Sequence, residues 1–137
     1  MNWKAQWIGG HGCGGLETGV PAPLLRKEFA CESNIKRATL HVTALGLYEC
    51  RINGRRVGDE VLTPGWTDYR KRVAFQSYDV TDLLRDGANA LGVTLGDGWY
   101  CGFVGFRPRE VYGERPELLL QLEIEREDGK AVTVVSD

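Results

Sequence analysis

The chain has 137 residues, of which 42% are hydrophobic and 26% are charged, so it fits one domain, residues 1–137, with a core of its own. Its formal net charge is −2, and basic and acidic residues are interspersed. A nucleic-acid-binding module would concentrate its positive charge in a patch, whereas the one short basic cluster, residues 70–72, is typical of a solvated strand end. Nucleic acid is therefore not an expected partner.

Membrane insertion and disulfide bonding are not expected either. No run approaches the roughly 18 apolar residues that a membrane helix needs, and the first residues lack the apolar stretch of a signal peptide. The four cysteines form no CxxC pair and have no metal-type spacing. Together these features predict reduced thiols in a cytoplasmic protein. The cysteines are Cys13, Cys31, Cys50 and Cys101.

In the first half of the chain, a Gly/Pro-rich loop at residues 9–23 precedes segments with the two-residue period of β-strands. Residues 35–44 alternate apolar and polar side chains, which predicts one buried and one solvated face. Residues 47–52 place three apolar side chains on a common face: Tyr48, Cys50 and Ile52. The strand ends at Asn53-Gly54, a strong hairpin signal because both residues tolerate positive φ.

In the second half, residues 73–78 are predicted to form a strand, and residues 79–84 a short helical turn capped by Thr or Asp. Strands follow at residues 89–95, 118–125 and 131–135. In the middle one, the inward face is Leu118, Leu120, Leu122 and Ile124, and the outward face is Glu117, Gln121, Glu123 and Glu125. Because no segment of ten residues has a helical period, the pattern predicts an all-β fold, an antiparallel β-sandwich or jelly roll.

The most informative segment for binding is residues 96–116, which combine aromatic and charged side chains without a clear period. A loop of that length in a compact domain is usually functional. A sugar offers an apolar C–H face and hydroxyl edges, which aromatic rings and charged groups recognise. The alternative is that the same rings pack in the core or against another domain, and the sequence leaves both open. For Trp66 and Tyr69 the same two roles are possible, and packing is favoured. The candidate ligand-binding residues are Asp97, Trp99, Tyr100, Arg107, Tyr112 and Glu114.

Several motifs occur here in a characteristic order. Asn53-Gly54 is followed by the Pro-Gly-Trp-Thr-Asp-Tyr segment at residues 64–69, by Asp-Val-Thr at residues 79–81 and by Gly-Trp-Tyr at residues 98–100. The series resembles the N-terminal domain of bacterial α-L-rhamnosidases over nearly the whole chain, including a strand at residues 25–29. The hairpin and the Asp-Val-Thr turn alone also resemble the sugar-binding jelly roll of β-galactosidases and β-glucuronidases.

The resemblance implies a galactose-binding-like module of an inverting glycoside hydrolase that removes terminal α-L-rhamnose. In that family the two catalytic carboxylates sit on a downstream (α/α)₆ barrel, so no catalytic residue is expected in this chain. The implied partners are a rhamnose-containing saccharide and that barrel, and the sandwich is expected to continue past Asp137. No cofactor is required, but some related modules resemble calcium-dependent rhamnose binders, in which case Asp97 would be a Ca²⁺ ligand. The alternative is a purely structural module that packs on the barrel.

Overall fold

The computed structural model describes residues 2–9 and 21–137, so most of the predicted Gly/Pro-rich loop, with His11 and Cys13, lies outside the described residues. Within these residues the chain forms strands, one short α-helix and a 3₁₀ turn that is described below. In chain order these elements are β1 Ile8–Gly9, β2 Leu24–Cys31, β3 Ile35–Leu45, β4 Leu47–Ile52, β5 Arg55–Arg56, β6 Gln76–Asp79, β7 Gly87–Gly96, α1 Gly98–Cys101, β8 Glu117–Arg126 and β9 Ala131–Val135.

The strands form two antiparallel sheets, as the sequence predicts. The four-stranded sheet has the order β2-β7-β4-β5, and the five-stranded sheet has the order β1-β8-β3-β6 with β9 also paired to β8. The short β1 pairs with the beginning of β8, where Ile8 faces Leu118. The edge strand β9 pairs farther along the same side of β8, where Val135 faces Gln121.

The core lies between the sheets and follows the alternation of the sequence. Leu40 and Val42 of β3 are completely buried, as are Cys50 and Ile52 of β4. These side chains meet the inward faces of the neighbouring strands β7 and β8 in one hydrophobic cluster. From β7 and β8 the cluster includes Leu91, Val93, Leu95, Leu118, Leu120, Leu122 and Ile124.

The end of the sandwich that carries the Asn-Gly hairpin is held by side-chain amides. Asn53 and Gly54 have φ of 52° and 82°, as the hairpin prediction requires. The Asn53 side-chain amide donates to the Asn89 side-chain oxygen at 2.8 Å and to the backbone carbonyl of Leu83 at 2.9 Å. The Asn89 side-chain oxygen accepts a hydrogen bond from the backbone N–H of Arg85, and the Asn89 side-chain NH₂ donates to the Arg85 carbonyl. These contacts tie the hairpin to the segment before β7.

The predicted helical turn is a 3₁₀ turn, Thr81–Leu83. The Asp79 carboxylate precedes it and accepts hydrogen bonds from the backbone N–H of Thr81 at 3.0 Å and from its hydroxyl at 2.6 Å. These hydrogen bonds hold the pKa of Asp79 below its ordinary value. Asp79 therefore acts as the turn and capping residue that the sequence predicts.

Two predictions about strands are wrong. The strand expected at residues 73–78 is shorter and covers only Gln76–Asp79. Before it, the backbone carbonyl of Ala74 accepts a hydrogen bond from the Thr43 hydroxyl at 2.6 Å instead of a backbone hydrogen bond from a neighbouring strand. Gln121, predicted on the solvated face of β8, is completely buried. Its side-chain oxygen accepts the backbone N–H of Lys4 at 2.7 Å, because the N-terminal segment covers it.

The cysteines within the described residues are Cys31, Cys50 and Cys101, and all three are buried free thiols. Burial raises the pKa of the Cys50 thiol to about 12. Among residues 2–9 and 21–137, no helix is long and apolar enough to cross a membrane.

Candidate functional site

Two long connections meet at the end of the sandwich where β4 begins and β7 ends. They are residues 57–75, between β5 and β6, and residues 97–116, between β7 and β8. The first is held on β4 by Thr63, whose backbone carbonyl accepts the N–H of Tyr48 at 3.0 Å and whose hydroxyl donates to the Tyr48 carbonyl at 3.0 Å. We refer to the surface formed by residues 57–70 of the first connection and by the second connection, residues 97–116, as the aromatic end.

The helix α1 turns the chain immediately after β7 and presents Trp99 and Tyr100. It begins at Gly98 with a φ of 53°, and a Cβ there would lie only 2.8 Å from Cγ of Leu47. Glycine is therefore required both by the backbone conformation and by the close approach to β4. Farther along the connection, the N–H of Tyr112 donates to the carbonyl of Tyr100 at 3.2 Å, which returns the chain to α1.

Three tyrosines form the interior of the aromatic end. The Tyr69 ring is buried and makes edge contacts with Tyr100, at 5.3 Å between centroids, and with Tyr112, at 5.1 Å. The Tyr69 hydroxyl donates to the carbonyl of Gly65 at 3.1 Å. Burial raises the pKa of both Tyr69 and Tyr100. Tyr100 and Tyr112 thus pack the two connections together, and Tyr69 is the packing residue that the sequence favours.

The two tryptophans form a separate and more exposed contact. The indole rings of Trp66 and Trp99 stack with an interplanar angle of 13° and a centroid distance of 6.1 Å. Trp66 keeps 54% of its surface exposed, although packing was the favoured expectation for it. The stack therefore places a flat apolar surface at the outside of the aromatic end.

Asp97 makes an ion pair inside the same connection. Its carboxylate contacts the guanidinium of Arg109, whose side chain is only 12% exposed. The hydrogen bond from Arg109 to Asp97 raises the pKa of the guanidinium. The Cys101 thiol lies 3.6 Å from the Asp97 carboxylate, and burial, reinforced by that carboxylate, raises the thiol pKa to about 12.

The surroundings of Asp97 do not resemble a calcium site. A Ca²⁺ ion takes six to eight oxygen ligands. In the described part of the chain, no group of three or more His, Cys, Asp or Glu side chains is arranged to hold a metal. A cation at Asp97 would also lie beside the Arg109 guanidinium, which already neutralises the carboxylate. The carboxylate is thus placed to hold the connection together.

The structure brings together four of the six residues predicted from the sequence. Trp99, Tyr100 and Tyr112 lie in the aromatic contacts, and Asp97 lies beside them at the start of α1. Arg107 and Glu114 are exposed on the surface of the same connection.

Trp66 and Arg109, the partners of Trp99 and Asp97, are not among the candidate ligand-binding residues predicted from the sequence. Trp66 comes from the other connection, so no local spacing links it to Trp99. The only signal in the sequence was the density of aromatic residues in residues 64–69 and 98–112.

A family model described as the α-L-rhamnosidase N-terminal domain matches residues 33–137. An α-L-rhamnosidase of Streptomyces avermitilis is 55% identical over 113 residues, which cover 82% of this chain and 11% of that protein. The crystal structure of the α-L-rhamnosidase of Aspergillus terreus superposes with a TM-score of 0.92 at 42% identity, covering 98% of this chain and 16% of that one.

A structure of the Streptomyces avermitilis α-L-rhamnosidase complexed with L-rhamnose superposes with a TM-score of 0.82 at 54% identity, covering 83% of this chain and 11% of that one. The chain therefore spans between 11% and 16% of the length of these relatives. The family match covers most of the chain and agrees with the motifs between Asn53 and Tyr100. This chain belongs to the family of α-L-rhamnosidase N-terminal domains.

Proposed function

We propose that the chain is a non-catalytic module of an α-L-rhamnosidase and that its aromatic end packs against the rest of that enzyme. The observation that carries this proposal is the apolar surface of the two connections. Phe106 is fully exposed, and four more large apolar side chains of the same connections are each more than half exposed. A soluble domain rarely exposes such side chains together unless they form an interface. The four are Val61, Leu62, Trp66 and Phe103.

The proposed occupant is the remaining polypeptide of the enzyme. The relatives are several times longer than this chain, so the module has a large partner within the same protein. Charged residues, among them Arg70, Arg107 and Glu114, lie on the same connections as the apolar ones. An apolar centre with a polar rim is the usual composition of a protein interface.

Catalysis is proposed to belong to that remaining polypeptide. Hydrolysis of a glycosidic bond uses a pair of carboxyl groups, one as acid and one as base or nucleophile. The family resemblance implies that both carboxyl groups lie on a downstream barrel, and we therefore propose no catalytic role for this chain.

Hydrogen–deuterium exchange on the isolated chain and on the complete enzyme tests the interface. We expect residues 61–69 and 97–107 to exchange more slowly in the complete enzyme, because their amides become covered. Residues 127–130, at the opposite end of the sandwich, serve as the internal control. Equal exchange of the aromatic end in both proteins would contradict the proposal.

A matched pair of variants adds a functional readout in the complete enzyme. Phe106→Ser removes the most exposed apolar ring of the aromatic end, whereas Val132→Ser removes an exposed apolar side chain of β9. We expect the first to lower the melting temperature of the complete enzyme but not of the isolated chain. The second is expected to affect both proteins equally.

Sugar recognition by the aromatic end is the second function that an observation favours. The stacked Trp66 and Trp99 offer an exposed aromatic face of the kind that a pyranose ring packs against. An amide-resolved NMR titration with L-rhamnose, in Ca²⁺ and again in EDTA, tests it. Saturable shifts in residues 96–114 would support sugar binding, and their loss in EDTA would indicate calcium dependence. A flat titration of the folded chain would leave the interface as the role of this surface.

A further inference from the structure

The outer face of the five-stranded sheet carries a second group of aromatic and polar side chains, on a different surface from the aromatic end. The N-terminal segment crosses this face and is hydrogen-bonded to it. The N–H of Gln6 donates to the carbonyl of Ser136 at 2.9 Å, and the Ser136 hydroxyl donates to the carbonyl of Gln6 at 2.7 Å. Together with the bond from Lys4 to the buried Gln121, these contacts place Trp3 over β3.

Three rings meet where Trp3 reaches the sheet. Trp3 and Phe75 make an edge contact with centroids 5.7 Å apart, and His41 lies 6.4 Å from each of them. Phe75 remains 44% exposed. The rings therefore form a partly open apolar wall rather than a closed core. We refer to Trp3, His41, Phe75, Ser77 and Glu123 as the outer-face cluster.

Beside this wall, His41 and Glu123 each use only one of their two side-chain polar atoms in a hydrogen bond within the described part of the chain. The Nδ1 atom of His41 lies 2.7 Å from the Ser77 hydroxyl, so one ring nitrogen is engaged. The other, Nε2, lies 3.9 Å from Oε2 of Glu123, which is too far for a direct hydrogen bond. The Glu123 carboxylate is positioned through its other oxygen, Oε1, which accepts from the Gln121 amide at 2.8 Å. Within the described part of the chain, neither Nε2 nor Oε2 has a closer hydrogen-bond partner.

The two atoms are close enough for one oxygen to contact both. A hydroxyl oxygen set to one side of the line that joins them can lie about 2.8 Å from each, and so can form one hydrogen bond to the imidazole and one to the carboxylate. A hydroxyl suits the pair because it both donates and accepts. An anionic ligand would be repelled by Glu123, and a strongly apolar one would leave the pair unsatisfied.

We propose that the outer-face cluster binds one neutral sugar residue. A ring hydroxyl bridges His41 and Glu123 from the solvent side, and the C–H face of the same ring packs on Phe75 and Trp3. The site differs from the aromatic end in its residues and in its position on the sheet, and it does not depend on the interface proposed above.

The test is an NMR titration of this chain, with L-rhamnose and D-galactose as separate probes. For at least one of them we expect saturable amide shifts at residues 3, 41, 75 and 123. Phe75→Ala and Glu123→Ala are each expected to weaken the affinity at least tenfold. The control for the carboxylate is Glu125→Ala, which removes an exposed carboxylate from the same face of the same strand. The control for the ring is Leu24→Ala, which removes an exposed apolar side chain from β2 of the other sheet. Both controls are expected to retain the affinity.

Phe75 and Glu123 are both exposed, so both variants are expected to fold, and melting curves verify this. Three results would each overturn the proposal. One is the absence of shifts at the cluster with both sugars. The second is a set of shifts confined to residues 96–114. The third is an unchanged affinity in folded Phe75→Ala and Glu123→Ala.

Discussion

The indole rings of Trp66 and Trp99 are stacked in a nearly parallel arrangement, with an interplanar angle of 13° and 6.1 Å between centroids. Trp66 belongs to the connection before β6, and Trp99 belongs to α1, after β7. The stack thus links the two connections on the outside of the aromatic end, while the contacts of Tyr69 link them on the inside.

Removal of one ring measures how much the stack contributes to the free energy of unfolding. Aromatic pairs contribute about 0.5–1.5 kcal/mol beyond the area that they bury. We expect Trp66→Ala to lower the free energy of unfolding by about 1 kcal/mol, and to shift the tryptophan emission to longer wavelength as Trp99 becomes solvated. Urea denaturation followed by fluorescence checks both effects. No change in either quantity would contradict a stack in solution.

Gly113→Ala tests the packing of Tyr100. A Cβ on Gly113 would overlap the Tyr100 ring, which also makes an edge contact with Tyr69. Overpacking of this kind costs about 1–3 kcal/mol, so the melting temperature should fall. The matched control is Gly92→Ala in β7, where the nearest atom to an added Cβ is 4.0 Å away. The control should melt close to the parent chain.

Asp97→Asn distinguishes an ion pair from a calcium site. Loss of the charge weakens the contact with Arg109, and we expect a destabilisation of about 1 kcal/mol, because Asp97 is partly exposed to solvent. If the ion pair is its role, millimolar Ca²⁺ leaves the melting temperature of the parent chain unchanged. Calorimetry with Ca²⁺ and with EDTA checks this. A rise in melting temperature with Ca²⁺ that disappears in Asp97→Asn would show metal binding at this carboxylate.

Asn89→Ala should be among the most damaging single substitutions. The side chain of Asn89 is 2% exposed and bonds the backbone groups of Arg85, the carbonyl of Gly87 and the side chain of Asn53. Its removal leaves several buried polar groups without partners, at a cost of about 2–3 kcal/mol. Thr94→Ala, at an exposed position of the same strand, is the control and should be nearly neutral. Urea denaturation of both variants gives the comparison.

Cys50 and Cys101 should resist alkylation in the folded chain. Both are completely buried, and burial raises the pKa of each thiol to about 12. The thiolate is the reactive form, so both groups stay in the unreactive thiol form near neutral pH. We expect iodoacetamide to modify both only after unfolding in guanidinium, as peptide mass spectrometry would reveal. Rapid modification of either in the native chain would show that its segment opens.

Much of the fold was predictable because its signals are local. The alternation in β3 and β8 and the positive-φ pair Asn53-Gly54 depend on neighbouring residues alone, and the structure confirms them. The prediction of a strand at residues 73–78 was wrong about where the strand begins, because the hydroxyl of Thr43 on β3 donates a hydrogen bond to the Ala74 carbonyl. Gln121 was misplaced because a segment from the other end of the chain covers it.

The sequence by itself determined the sandwich, the family and the segment of residues 96–116 that carries the candidate site. Periodicity, turn residues and motif order are properties of neighbouring residues, so they need no tertiary information. Only the tertiary structure decided the pairs: Trp66 with Trp99, Asp97 with Arg109, and Trp3 with His41 and Phe75. The reason is physical, since each pair depends on how two separate segments cross, and the free energy of the whole core determines that crossing.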